Sequence, residues 1–389
     1  MKFIVRAVSA LLLLALPSLA SASAAPSIAI RFCPASHLYT YPLDSAGKTK
    51  SLLLHAFTII NRGPRLLDVQ TIRLGLLQDG RTIDSRTLPQ AYVKRWGDNA
   101  SGFQRVLPLF PLEFCGDAMI DPSVTLGGPV LARNQGLLIM KQVFAFDGVR
   151  DTLRVHLEGQ SSGHPVQSDA TIAIRDGFAK TRFVFPLKGT WYVGWGPSFH
   201  TDHRWHPPEA FALDIARLGG GGQTYRGDGQ HFEDYYAFGA DVLAAADGAV
   251  VKAVGGRPES PDAIQRPGET ARHYADRHNS EEMKLFGGRE DGAAGDYVML
   301  DHGNGEYSLY AHLQPDSIRV RVGERVKTGE VLGKLGSSGN STEPHLHFQV
   351  CDRPDPLLCS GIPVSFSDVA ILWADGPRAL QSGDIVTTH

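Results

Sequence analysis

Apolar and polar positions alternate with a period of two along much of the chain, the pattern of strands with one buried and one wet face. In the first half the apolar runs are 52–60, 67–77, 137–146, 153–157 and 171–174, with turn residues at 61–64 and 78–80 between them. Short strands at this spacing predict a β-sandwich of immunoglobulin-like type over 25–180. It reads as an accessory domain: His37, His55, His156 and His164 are scattered and form no catalytic constellation.

A second domain, 185–375, begins near Phe185. The strand 211–215 turns Phe211, Leu213 and Ile215 to the core, and Ala212 and Asp214 to the opposite face. A carboxylate in such a strand needs a charged partner or a metal. Asp247 and Gly248 mark a turn, and 255–295 reads as a long polar insertion in which His273 and His278 are solvated. Strand 307–313 places Tyr310 and His312 on one face. In 345–350, His345, His347 and Gln349 share one face, and Leu346, Phe348 and Val350 the other. Very little helix is expected, so the fold class is all-β.

The polar residues on otherwise apolar strands are Asp214, His312, His345 and His347, with His200, His203 and His206 just upstream of Asp214. One carboxylate and several imidazoles suit zinc or a similar borderline metal. Three protein ligands would leave a position for water, and zinc brings that water's pKa towards about 7. The remaining histidines would serve as general base or oxyanion donor. No serine elbow or cysteine–histidine arrangement competes with this.

Composition narrows the setting. With 389 residues, 42% hydrophobic and 20% charged, the chain has material for two globular domains. A net charge of -3 provides no basic footprint for nucleic acid. Lys2 and Arg6 precede the apolar run 10–19 and the small residues 20–24, so 1–24 reads as a secretory signal peptide. Its removal takes away two positive charges and turns -3 into -5. The mature chain is then exported, to the periplasm or outside the cell, with no spanning segment. Four cysteines suit that oxidising setting. Proximity pairs Cys351 with Cys359 and leaves Cys33 for Cys115, one of three possible connectivities.

The segments 310–313, 322–333 and 339–348 resemble the lysostaphin/LytM-type zinc endopeptidases. The resemblance covers roughly 185–366. It implies a β-rich duplicated hybrid motif with a groove over the sheet, and cleavage of peptide bonds in peptidoglycan stems or cross-links. It also implies that Asp214 and His347 hold the metal, that His312 and His345 are the catalytic pair, and that Tyr310 binds substrate. The sequence departs from the family four residues before Asp214, where Ala210 replaces a metal-binding histidine. His203 best resembles a ligand brought from the preceding loop, and His206 is the alternative. Glu343 stands where glycine is usual and adds negative charge beside the site. Two functions follow: a zinc metalloendopeptidase, or a non-catalytic module that binds cell wall or activates another hydrolase. Metal content separates them.

Overall fold

The computed structural model describes residues 27–107, 115, 123–288, 292–374, 376 and 378–388; the segment 1–24 lies outside them. The expected strands of the first domain form, as Thr49–Asn61, Leu67–Gln78, Gln135–Asp147, Thr152–Ser161 and His164–Arg175. Thr49–Asn61 pairs antiparallel with Gln135–Asp147, while Thr152–Ser161 lies between Leu67–Gln78 and His164–Arg175. The strand His37–Pro42 joins the two sets. Its first half runs parallel to Ala173, Ile174 and Arg175, and its second half antiparallel to Lys50, Ser51 and Leu52. Inward residues of both sets, such as Phe57, Ile139, Leu74 and Val155, share one buried cluster. Two helices, Gln90–Asp98 and Ala100–Val106, were not expected. Cys33 is bonded to Cys115 and Cys351 to Cys359, the pairing that proximity suggests.

The second domain is built on a nine-stranded sheet in which neighbouring strands run antiparallel. Its centre is Tyr307–Leu313, then Leu346–Cys351, then Leu213–Ala216, then Thr190–Trp195. Ile385–Thr388 pairs with Thr190–Trp195, so the sheet extends past the expected boundary at 375. One face of the sheet is dry: Leu213, Ile215, Leu346, Phe348 and Val350 pack with Val242, Leu332 and Leu335. The opposite face carries the polar alternates and forms the floor of a groove.

The insertion 255–295 is more ordered than its polarity suggests. It contains the helix Ala271–Gly288, which Arg277 ties to Glu269 at 2.7 Å and to Ile264 O at 3.1 Å. His273 is exposed as expected. His278 is not simply solvated; it lines the groove.

Candidate metal centre and active site

Strand register assembles half the site. His347 lies directly opposite Asp214 on one side and Ala311 on the other. Cross-strand partners point to the same face, so the carboxylate and imidazole meet: Asp214 Oδ1 accepts from His347 Nδ1 at 2.9 Å. His345, two residues earlier, brings Nε2 to 3.5 Å from the same oxygen. Ala311 leaves room above the floor.

His312 reaches the groove by a different route. Alternation alone would put Tyr310 and His312 together, and the structure separates them. Leu309 and Ala311 line the groove, while Tyr310 is fully buried in the dry core beside Phe348. His312 has φ of 62°, a left-handed conformation that breaks the alternation and returns its ring to the groove side. The substrate-binding role expected of Tyr310 is therefore corrected. Its hydroxyl accepts from Ala245 N at 2.8 Å and from Ser308 Oγ at 3.2 Å, deep beneath the sheet.

The loop before Asp214 supplies the last imidazole. His203 Nε2 is 3.3 Å from Asp214 Oδ2, and His203, Asp214 and His347 offer ligand atoms all within 4.8 Å of one another. His206 lines the groove but stands outside this cluster, and Ala210 packs instead with Tyr41 and Phe211. Two imidazoles and a carboxylate at this separation, buried and converging, fit a tetrahedral zinc site with one position left over.

Each strand-borne imidazole is oriented from behind. His347 Nε2–H donates to Gln349 Oε1 at 2.8 Å, leaving Nδ1 for the carboxylate or a metal. Gln349 in turn donates to Pro356 O at 3.2 Å, inside the loop closed by Cys351 and Cys359. His345 Nδ1–H donates to Glu343 O at 2.8 Å, and His312 Nδ1–H donates to Ser338 O at 2.7 Å. The Ser338 carbonyl is held by a close backbone approach. A Cβ at Gly295 would lie 2.3 Å from it, and Gly295 has φ of 62°. Gln349, Ser338 and the Glu343 carbonyl were not identified as functional from sequence. The shared face of Gln349 with both histidines was the available signal.

Electrostatics divide the histidines. Burial would raise the Asp214 pKa, but His203 and His345 outweigh it and hold the carboxyl well below its usual range. Burial would lower His347, but the hydrogen bond and charge of Asp214 push it up to about 9. His345 is raised against its burial by Asp214. His312 is held well below the ordinary value, first by burial and then by His345 and His347. His203 is lowered by burial, which Asp214 and Glu209 only partly offset.

The groove over these residues has a volume of about 630 Å³ and is walled by Trp195, Glu209, His278 and Glu343, among others. Glu343 accepts a hydrogen bond from Thr224 Oγ1 at 2.7 Å. An open cleft with a clustered His/Asp/His set and two further imidazoles defines the class, a metallopeptidase-like domain.

The sequence model for peptidase family M23 matches residues 283–357. The chain carries a peptidase family M23 domain. It is 40% identical over 81 residues to the DD-carboxypeptidase/endopeptidase Mpg of Neisseria meningitidis, covering 21% of this chain and 18% of that one. It is 37% identical over 76 residues to the peptidoglycan DD-endopeptidase ShyA of Vibrio cholerae, covering 19% and 17%. The matches thus span less than a fifth of either relative. Among solved structures, the catalytic domain of lysostaphin from Staphylococcus simulans aligns at 18% identity and a TM-score of 0.23, over 46% of this chain and 88% of that one.

Proposed function

We propose that the protein is a zinc-dependent endopeptidase that hydrolyses peptide bonds in peptidoglycan stems or cross-links. The observation that carries the reading is the convergence of His203, Asp214 and His347 beside two differently poised histidines. Of the two relatives named above, ShyA is a peptidoglycan DD-endopeptidase and Mpg a DD-carboxypeptidase/endopeptidase. Zinc held by His203, Asp214 and His347 would supply a Lewis acid that brings a water's pKa down to about 7.

The chain's own residues do the rest. His312 is held neutral, with Nδ1–H on Ser338 O, so its Nε2 lone pair takes the proton of the attacking water. His345 has its pKa raised, and its Nε2 donates to the carbonyl oxygen as negative charge develops there. The water oxygen bonds to the carbonyl carbon, the C–N bond breaks, and the proton on His312 passes to the leaving amine. Glu209, Glu343 and Trp195 border the groove in which the peptide lies. Peptidoglycan as substrate agrees with the signal-like segment 1–24 and with two disulfides, which support export to the periplasm or outside the cell.

A chelator should abolish hydrolysis of purified peptidoglycan, and added zinc should restore it. Full activity after complete metal removal rejects the mechanism. The non-catalytic alternative is disfavoured because a binding module has no chemical need for both His312 and His345 beside the ligand set. A chain that takes up no zinc and does not hydrolyse peptidoglycan would restore that alternative.

A further inference from the structure

Four imidazoles meet in the groove, and three are hydrogen-bonded from behind by Gln349, Glu343 O and Ser338 O. His203 is the exception. Its Nδ1 is buried, with no hydrogen-bond partner among the described residues. It sits on a short 3-10 turn, His203–Trp205, rather than on a strand. A ligand without a hydrogen-bonded partner on its second nitrogen depends on packing for its aim.

The His203 ring itself packs on Trp195, with centroids 5.4 Å apart, while the loop that carries it is packed from the first domain. Arg204 is 1% exposed. Its Nη1 donates to Ala210 O at 3.3 Å, drawing the loop onto itself, while Nε and Nη2 make no hydrogen bond among the described residues. The guanidinium instead lies 4.5 Å over the Phe211 ring and 5.4 Å over Phe199. A buried cation with so few partners is stable only where aromatic faces enclose it. Phe211 packs on Tyr41 and Tyr39 of the first domain, with ring centroids 5.7 and 6.2 Å away. The Tyr41 hydroxyl crosses to donate to Leu380 O.

A second contact lies close by. Lys141 Nζ stands 5.6 Å over the Trp205 ring. Lys141 has φ of 55°, and across this point the inward residues of the neighbouring strand change parity, from Leu52 and Leu54 to Phe57 and Ile59. His55, at the change, faces Arg204 across a small cavity also lined by Leu53 and Pro207. The kink thus gives the first domain a surface shaped to the loop.

We propose that the first domain is a working part of the metal centre: Tyr41, His55 and Lys141 hold Arg204, Trp205 and Phe211, and so aim His203 at the site that Ala210 cannot serve. Arg204 and Tyr41 are positioning residues, acting through His203. This rests on the zinc reading above and assigns the first domain a role beyond that of a passive accessory.

The test uses the full chain. Zinc affinity is measured by competition with a chromophoric chelator, the ligand set by the visible absorption of the cobalt-loaded protein, and the fold by circular dichroism. Tyr41→Ala and Arg204→Met should weaken zinc binding by about 10- to 100-fold, the effect of losing a ligand's support, and should alter the cobalt spectrum with the fold retained. Tyr41→Phe, which keeps the ring packing, should recover most of the affinity. Val155→Ala opens a cavity in the first domain's core away from the loop and should leave zinc affinity at the natural level. If Arg204→Met does not fold, Tyr41→Ala decides. Natural affinity in Tyr41→Ala overturns the proposal, as does an equal loss in Val155→Ala. A natural chain that takes up no zinc overturns the zinc reading itself.

Discussion

The two sides of the candidate metal centre are built on different principles. On the strand side, Asp214 and His347 are cross-strand partners in a continuous ladder. Their positions follow from backbone hydrogen bonds, and their apolar alternates Leu213, Ile215, Leu346 and Phe348 are locked in the core beneath. On the loop side, His203 comes from a segment with one short 3-10 turn, and its neighbours Arg204 and Phe211 are buried against another domain. The strand side is rigid because register and burial agree. The loop side is only as well placed as the interface behind it. On the proposed reading, one ligand sits on a loop, where contacts outside the sheet replace the ladder.

The strongest test of this contrast removes the ligands. His347→Ala should abolish zinc uptake in metal analysis, whereas His345→Ala should keep about one zinc per chain and lose turnover by about 10²-fold or more. Metal loss in His345→Ala would merge the two roles. Next, Gln349→Ala removes the acceptor of His347 Nε2–H. Zinc affinity should fall by about 10- to 100-fold in chelator competition, and an unchanged affinity would show that the strand alone aims the ring.

A third test targets catalysis without touching a catalytic side chain. In Gly295→Ala the new Cβ would press on the Ser338 carbonyl that receives His312 Nδ1–H. Strain at a positive φ costs about 1–3 kcal/mol. Turnover should drop while zinc content holds, and a variant with natural kcat would separate the carbonyl from the function of His312. The smallest expected effect is on the loop side. Lys141→Ala loses one exposed cation–π contact, worth about 0.5–1 kcal/mol, and thermal melting should register that small change.

The groove also gains a wall that polarity concealed. Charge-rich composition made 255–295 look like a solvated loop. Eighteen of its residues form the helix Ala271–Gly288, and His278 on that helix reaches the groove. Helix formation there depends on ties such as Arg277 to Glu269 and to the Ile264 carbonyl, which apolar periodicity does not report.

By itself the sequence determined the strand faces. Alternation is a local property of extended backbone, so Asp214 on one strand and His345, His347 and Gln349 on another could be read as sharing a polar face, and the apolar strands of the first domain could be placed as well. Only the tertiary structure decided the exceptions. His312 enters the groove, and Tyr310 leaves it, because one left-handed residue breaks the alternation, a choice made by the packing on both sides of the strand. His203 rather than His206 joins Asp214 and His347, on a loop whose Arg204 and Phe211 pack together and meet Tyr41 of the first domain. Those contacts join residues more than a hundred positions apart, and no local pattern carries them.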